Sequence, residues 1–336
     1  MIQLCKQYSF IRRLKLTQFK GDQTQKPLTD QIMTKAQLID LAGEMLASGK
    51  SKRISLLQDV IDAGNVNKRG TWAYYAKRFQ DWIAGKRGPA FSIFATGGNS
   101  KLPFYAFSSL PGFDCPGAGD CLFNASGEFA KGFCYSFKAW RYPAAYFRQL
   151  QNSILIRENQ DLLATEFAKI PTGKDKKRRV VRLYVDGDFH SLQGFAFWME
   201  QIKSRPDLAV YGYSKSWKII LDYAGELPQN YYLNISSGSK YGQDMLEKVE
   251  QLPIARGQFV AVPVARQWIT SKAYQDKDNA GSKEYRRDVL TMLREQNPGR
   301  KTFACPGNCG NCLPNGGHAC GSDRMSNVII GIGTHG

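Results

Sequence analysis

The sequence has no long apolar run. No stretch approaches the roughly 20 consecutive apolar residues that a membrane-spanning helix needs. Near the N-terminus, Arg12, Arg13, Lys15 and Lys20 interrupt the chain before the apolar core of a signal peptide can form. We therefore expect a cytoplasmic protein with no membrane partner. In that reducing compartment, clustered cysteines bind metal more often than they pair as disulfides.

Two catalytic motifs are also missing. The sequence contains no G-x-x-x-x-G-K-[ST] phosphate-binding loop, which argues against NTP hydrolysis. It contains no G-x-S-x-G pattern, which argues against a serine nucleophile on a strand-to-helix elbow. The composition, with 43% hydrophobic and 22% charged residues, is nevertheless typical of a globular chain that buries a large core.

Acidic residues are few relative to basic ones. The chain has 46 Lys and Arg against 29 Asp and Glu, a formal charge of +17. Residues 1–100 hold 16 of the basic and 7 of the acidic residues, so the excess is concentrated towards the N-terminus. Such a charge favours a polyanionic partner, most simply nucleic acid, bound through the basic N-terminal region. A second basic run, "KDKKRR" at 174–179, is either a further contact or a solvated loop.

Composition divides the chain into three parts. We predict a basic arm over residues 1–30, a small helical region over 31–88 and a cysteine-containing β/α domain over 89–336. The helical region has three short amphipathic segments, the first behind a Thr34 cap. These segments are compatible with a helix-turn-helix module and with a helical cap on the larger fold, and the sequence leaves both open.

Strand-like and helix-like segments alternate in the second half of the chain. The runs "RVVRLYVDGDF", "LAVYGYSKSW", "NYYLNISSG" and "GQFVAVPVA" are typical of buried strands, and "LQGFAFWMEQIKSRP" of a helix. This alternation predicts an α/β fold built of parallel β/α units, as a partial or complete barrel with an N-terminal helical extension. In such barrels the chemistry lies at the carboxyl ends of the strands.

Polar side chains follow three of these strands. The candidate catalytic residues are Asp186, Asp188, His190 and Lys215. The candidate cofactor-binding residues are Tyr213, Ser214, Ser216, Asn234 and Ser236. Two structural alternatives stay open. The Asp-Gly-Asp pattern also suits a turn with an Asx cap, and the lysine either binds an anionic group or caps a strand end.

Seven of the eight cysteines fall into two groups that predict metal ligation. The upstream group is Cys115, Cys121 and Cys134, and the downstream group is Cys305, Cys309, Cys312 and Cys320. Cys5 stands alone as a spare thiol. The Gly- and Pro-containing runs "CPGAGDC" and "CPGNCGNC" favour one or two [4Fe-4S] clusters. Zinc is the alternative metal, although only one C-x2-C pair is present, and redox or structural thiols are a third reading.

The residues resemble two known families. The C-x3-C-x2-C spacing from residue 305 is that of radical S-adenosylmethionine enzymes, although here it lies near the C-terminus and Asn311 replaces the usual aromatic residue. From about Leu102 onwards, "CPGAGDC", "CYSFKAWRYP", "RLYVDGDFHS", "YGYSKSW" and the terminal cysteines resemble the gene product 88 family of phages and plasmids. That family is similar to distant radical S-adenosylmethionine barrels.

The resemblance implies a [4Fe-4S] cluster held by the upstream cysteines, with S-adenosylmethionine as a possible cofactor. The downstream cysteines then hold a second cluster, or both groups share one. Two functional classes remain open. One is an iron–sulfur enzyme of a mobile element that acts on nucleic acid or a nucleotide. The other is a nucleic-acid-binding protein for plasmid or phage replication, maintenance or regulation, in which a metal site only stabilises the fold.

Overall fold

The computed structural model describes residues 57–96, 104–127, 132–173, 178–264, 280–307, 309, 319–322 and 325–334. Several sequence predictions lie outside these residues: the basic arm, the helix expected after Thr34, and residues 174–177 of the second basic run. Cys5 and Cys312 lie outside them too.

A seven-stranded sheet, parallel at every pairing, forms the centre of the described structure. The strands are β1 (Tyr105–Ala106), β2 (Arg179–Leu183), β3 (Leu208–Ser214), β4 (Tyr231–Ser236), β5 (Ala255–Pro263), β6 (Thr302–Ala304) and β7 (Ile329–Thr334). Their order in the sheet is β1-β2-β3-β4-β5-β7-β6. This confirms the predicted α/β class and its parallel strands. No pairing joins β1 to β6 in the described ranges, so the sheet is open there and a complete barrel is not observed.

Helices flank and connect these strands. They are α1 (Leu57–Asp62), α2 (Trp72–Ile83), α3 (Pro143–Glu158), α4 (Gln160–Ala168), α5 (Leu192–Lys203), α6 (Trp217–Leu221), α7 (Gln243–Glu250) and α8 (Ala280–Gln296), with a 3-10 helix at Tyr135–Arg141. Helices α3 and α4 follow one another directly in the chain. They meet at Asn159, whose backbone leaves the helical region (φ −148°, ψ 64°) and whose side chain accepts a hydrogen bond from the Leu162 N–H at 3.1 Å.

The two faces of the sheet carry different side chains, because successive residues of a strand point to opposite sides. Val181, Leu183 and Val210 belong to the main hydrophobic core together with Trp198 of α5. Alternate strand residues form a second cluster on the other face: Val180, Tyr211, Tyr213, Tyr232, Phe259, Phe303 and Ile330. Cys305 and Cys320, which lie outside the strands, pack in the same cluster. One face of the sheet is thus covered by helices, and the other is lined by aromatic rings and these two cysteines.

The helical region packs directly on the β/α domain. Helix α2 begins at Thr71, whose hydroxyl accepts a hydrogen bond from the Tyr74 N–H at 3.1 Å. Its Ala76 and Phe79 are buried against α3, where the rings of Phe79 and Phe147 lie 5.5 Å apart. Such packing is what a helical cap requires.

Candidate functional site at the carboxyl edge of the sheet

The carboxyl ends of β2, β3 and β4 lie at one edge of the sheet, because the three strands are parallel and adjacent. The segments after Leu183, Ser214 and Ser236 therefore converge there. Most of the candidate site residues follow these strand ends, as expected for a parallel sheet.

Asp188 ties the end of β2 to the end of β3. Its carboxylate is buried and accepts three hydrogen bonds: from the Phe189 N–H at 2.8 Å, the Ser214 hydroxyl at 2.7 Å and the Lys215 N–H at 2.7 Å. Burial raises the pKa of Asp188, and these donors oppose the rise. Asp188 is not the Asx cap that the Asp-Gly-Asp pattern allowed, because α5 is capped by Ser191, whose hydroxyl accepts a hydrogen bond from the Gly194 N–H at 3.1 Å.

Asp186 lies near the 3-10 helix. Its Oδ2 accepts a hydrogen bond from Gln149 at 2.9 Å, and Ser136 and Ser108 also donate to its carboxylate. Burial raises the pKa of Asp186, while these donors and the nearby Arg182 work in the opposite direction. The Asp186 carboxylate therefore accepts hydrogen bonds from three protein side chains.

The loop that carries Cys115 and Cys121 docks on the same edge. The Gly119 N–H donates to the Gly238 carbonyl and the Lys240 N–H donates to the Gly117 carbonyl, each at 2.9 Å. A Cβ at Gly117 would lie 1.7 Å from the carbonyl oxygen of Lys215, so only glycine permits this approach. The glycines of "CPGAGDC" therefore bring the first two cysteines against the ends of β3 and β4.

The three upstream thiols come together in this arrangement. The Cys134 N–H donates to the Cys121 carbonyl at 2.7 Å, which joins the third cysteine to the docked loop. Burial raises the pKa of Cys115 well above its usual value, and ionised Asp188, Cys134 and Cys121 add to the rise. Burial also raises the pKa of Cys121, whereas Lys215 lowers it. The thiols of Cys115 and Cys121 are therefore protonated at neutral pH.

Lys215 is the cation that acts on this group of thiols. Its Nζ donates to the Ser236 hydroxyl at 2.8 Å. Burial works to lower the pKa of Lys215, but the ionised forms of Cys121, Asp188 and the other two upstream thiols outweigh it, and the net shift is upward. The ammonium group is therefore held charged beside three potential thiolates.

Two of the downstream cysteines, Cys305 and Cys320, lie on the aromatic face of the sheet. The Cys305 sulfur accepts a hydrogen bond from the Gly307 N–H at 3.4 Å. The Cys320 carbonyl accepts one from the Asn234 side chain at 2.9 Å, and the Cys320 thiol contacts the Tyr213 hydroxyl. Asn234 also accepts from the buried guanidinium of Arg256 at 2.5 Å. Its polar atoms are thus committed to protein contacts.

Arg182 is a site residue that the sequence interpretation missed. It is buried, its guanidinium carbon lies 4.6 Å from the centre of the Tyr213 ring, and it bonds to the Tyr135 hydroxyl. Burial lowers the pKa of Arg182, but nearby tyrosines and Cys309, when ionised, shift it upward overall. Arg182 thus stands between Tyr135, which follows Cys134, and the downstream thiols. A charged residue within the apolar strand "RVVRLYV" was the signal for it.

His190 does not join the thiols. Its ring faces the Ser191 hydroxyl at 3.1 Å, and the charged groups that act on it are Arg157 and Asp114. Burial and the Arg157 charge lower the pKa of His190 to about 4, so its imidazole is neutral at pH 7. The structure thus places one of the four candidate catalytic residues apart from the cysteine group.

No three His, Cys, Asp or Glu side chains in the described ranges converge closely enough to chelate a single metal ion. Cys312, one of the predicted ligands, lies outside these ranges.

None of the helices in the described part of the chain is both long and apolar enough to cross a membrane.

The fold and the site define an α/β protein with a thiol-rich carboxyl edge. A family model described as Gene product 88 matches residues 78–322, which is well over half of the chain. The chain therefore belongs to the gene product 88 family, as the sequence resemblance predicted, and the assignment is consistent with a protein of a phage or other mobile element. The match spans both cysteine groups. Comparisons with curated proteins and with solved structures found no match.

Proposed function

We propose that this chain is a cytoplasmic iron–sulfur protein of a mobile genetic element. The observation that carries the proposal is the meeting of Cys115, Cys121 and Cys134 around Lys215 at the carboxyl edge of a parallel sheet. These thiols are up to 19 positions apart in the sequence, so the fold itself has to bring them together. Cys115 and Cys121 pack in one small hydrophobic cluster with Ala118 and Leu122, where a cysteine also serves as a small apolar side chain, so the metal content has to be measured.

The chemistry of this group suits a metal–thiolate site. Burial raises the pKa of Cys115 and Cys121, so these two thiols stay protonated until a metal displaces the protons, because metal binding favours the thiolate. The Gly112 N–H donates to the Cys115 sulfur at 3.4 Å, and Lys215 balances negative charge nearby. Such donors to sulfur are typical of iron–sulfur ligands.

We extend the proposal to a radical S-adenosylmethionine-type site. Three cysteines leave one iron of a [4Fe-4S] cluster without a protein ligand, where S-adenosylmethionine would be bound and cleaved after reduction. The Ser216 hydroxyl supports a ligand at this edge, because it is buried with no hydrogen-bond partner among the described residues. Lys215 and Ser236 would orient the polar end of such a ligand, while Asp188 fixes the loop that carries them.

The downstream cysteines would hold a second cluster or complete a shared one. Cys305 and Cys320 lie in one hydrophobic cluster on the aromatic face of the sheet. Arg182, between Tyr135 and Cys309, connects the two cysteine groups electrostatically. Its charge would stabilise the anionic form of a cluster on either side.

A second candidate is a nucleic-acid-binding protein for replication, maintenance or regulation of the mobile element, in which the metal site stabilises the fold. The formal charge of +17 favours it. The two candidates differ in one measurable property: only the first requires S-adenosylmethionine affinity that depends on the upstream cysteines.

The test compares Cys121→Ser with Cys5→Ser, purified without oxygen. We expect Cys121→Ser to lose most of its iron and its visible absorption, and to lose S-adenosylmethionine binding in calorimetry. Cys5→Ser should match the parent chain, because this thiol stands outside both groups. Equal iron content in the two variants would refute ligation by the upstream group. Intact iron without S-adenosylmethionine binding in the parent would leave the second candidate.

A further inference from the structure

A pocket lined by arginines and aromatic rings lies between the helical region and α3. Its volume is about 410 Å³, within the roughly 300–1,000 Å³ of small-molecule sites. Three arginines and three aromatic residues provide most of its lining: Arg69, Arg78, Arg148, Tyr74, Tyr75 and Phe91. No Asp or Glu is among its lining residues, and it shares no residue with the cysteine site.

The arginines of this pocket lack acidic partners. None of the three forms an ion pair with Asp or Glu in the part of the chain that the structure describes. The Nε of Arg148 is buried and has no hydrogen-bond partner there. Burial lowers the pKa of Arg148 from its usual value, which reflects the cost of leaving this charge unpaired. A bound anion would remove that cost.

The aromatic residues provide stacking surfaces beside the charges. Tyr74 and Tyr75 meet edge to face with ring centres 5.1 Å apart, and Tyr75 lies 5.7 Å from Phe91 at an interplanar angle of 32°. The guanidinium of Arg78 stands 5.6 Å from the Tyr74 ring centre and donates to the Ala90 carbonyl at 3.0 Å. All three rings are only partly buried, so they remain accessible to a ligand ring.

We propose that this pocket binds a nucleoside phosphate unit, as a free nucleotide or as one nucleotide of a single strand. The arginine forks match phosphate oxygens, and the rings match the face of a base. The chain before Leu57 is not the occupant we favour, since residues 1–56 are themselves rich in Lys and Arg. The inference locates the nucleic-acid contact of the proposed function but does not depend on the metal site.

The first experiment is photocrosslinking of the full chain to an oligothymidylate that contains 5-bromodeoxyuridine, followed by peptide mass spectrometry. We expect crosslinks at Tyr74, Tyr75 or Phe91. Suppression of these crosslinks by millimolar AMP, but not by equal inorganic phosphate, would identify a free nucleotide as a sufficient ligand. If only unlabelled oligonucleotide suppresses the crosslinks, the ligand of the pocket is a nucleotide within a single strand. Crosslinks confined to peptides outside the pocket would overturn the proposal.

The second experiment measures affinity for the same oligonucleotide by fluorescence anisotropy in matched variants. Arg69→Gln and Lys68→Gln remove one charge each from neighbouring exposed residues, but only Arg69 lines the pocket. We expect Arg69→Gln combined with Tyr74→Ala to weaken binding about tenfold or more, and Lys68→Gln to change it less than twofold. Similar losses with Lys68→Gln and with the double variant would overturn the proposal, because charge alone would then explain binding.

The metal content of the same variants separates this inference from the proposed function. Crosslinks in the pocket of a chain without iron would contradict the iron–sulfur proposal alone. The opposite result is a chain that contains iron and sulfide and is folded by circular dichroism, but shows no crosslinks at the pocket. That result would contradict the proposed nucleotide binding and leave the iron–sulfur proposal intact.

Discussion

Single residues at the carboxyl edge act mainly by holding strand ends together. Asp188 accepts hydrogen bonds from Phe189, Ser214 and Lys215, and two of these donors belong to the end of β3. A buried carboxylate that accepts three hydrogen bonds stabilises the local fold. Through the Lys215 N–H it also fixes the backbone from which the Lys215 side chain extends.

Replacing Asp188 tests that role. We expect Asp188→Ala to lower the free energy of unfolding by about 2–4 kcal/mol, because the Ser214 hydroxyl and the Lys215 N–H lose their acceptor in a buried place. Asp188→Asn keeps one acceptor oxygen, so its free energy of unfolding should fall by about half as much. Urea unfolding followed by circular dichroism measures both. A loss below about 0.5 kcal/mol for the alanine variant would show that the carboxylate is not a structural link.

His190 predicts a pH dependence of stability. Its pKa is lowered to about 4 in the folded chain, against about 6.5 when unfolded. The folded state therefore favours the neutral ring. The resulting stability is fully present above pH 6.5 and is lost as the pH falls towards 4.

We expect His190→Asn to remove the part of the pH dependence of stability that comes from this imidazole. The difference in urea midpoint between the parent chain and the variant should shrink as the pH is lowered from 7 to 4.5. Buried Asp186 and Asp188 titrate in both proteins, so the difference isolates the histidine. A difference that is constant with pH would contradict the lowered pKa.

At the scale of elements, the cysteine loop depends on close backbone contact with the ends of β3 and β4. Gly117→Ala would place a Cβ 1.7 Å from the Lys215 carbonyl oxygen, so the loop has to move. We expect a loss of about 1–3 kcal/mol in unfolding free energy and a lower iron content per chain. Gly88→Ala is the matched control, since nothing lies within 4 Å of its Cβ. Equal unfolding free energies and equal iron contents in the two variants would show that the close contact at Gly117 does not hold the loop.

The strands before residue 265 could be predicted from the sequence, because β2 to β5 are apolar runs bounded by turn residues. Strand β7 and helix α8 were missed. Gly331 and Gly333 reduce the strand signal of β7, yet they are needed there: a Cβ at Gly331 would lie 2.6 Å from Leu293 of α8. The packing that explains these glycines was not visible from local pattern.

Local sequence pattern likewise predicted only part of the candidate site. Periodicity located the strand ends, and parallel topology placed Asp188, Lys215 and Ser236 at one edge. It did not place His190, whose ring faces Arg157 and Asp114 instead. Nor did it find Arg182, whose importance depends on contacts with residues far away in the chain.

At the scale of the whole molecule, the formal charge of +17 leads us to expect binding to polyanions. The predicted basic arm, residues 1–30, lies outside the described structure, so its role remains a prediction. We expect its deletion to weaken binding to an oligonucleotide and to flatten the dependence of affinity on salt, because fewer counterions are released. The visible spectrum should not change. Unaltered affinity and salt slope would contradict a role for the arm.

The central claim is that the convergent cysteines hold an iron–sulfur cluster. The most direct test is the analysis of iron, zinc and acid-labile sulfide in the full chain purified without oxygen, with electron paramagnetic resonance before and after reduction. The account predicts about four irons and four sulfides per chain for one cluster, or about eight of each for two, with a signal that changes when S-adenosylmethionine is added. Zinc without sulfide would contradict it.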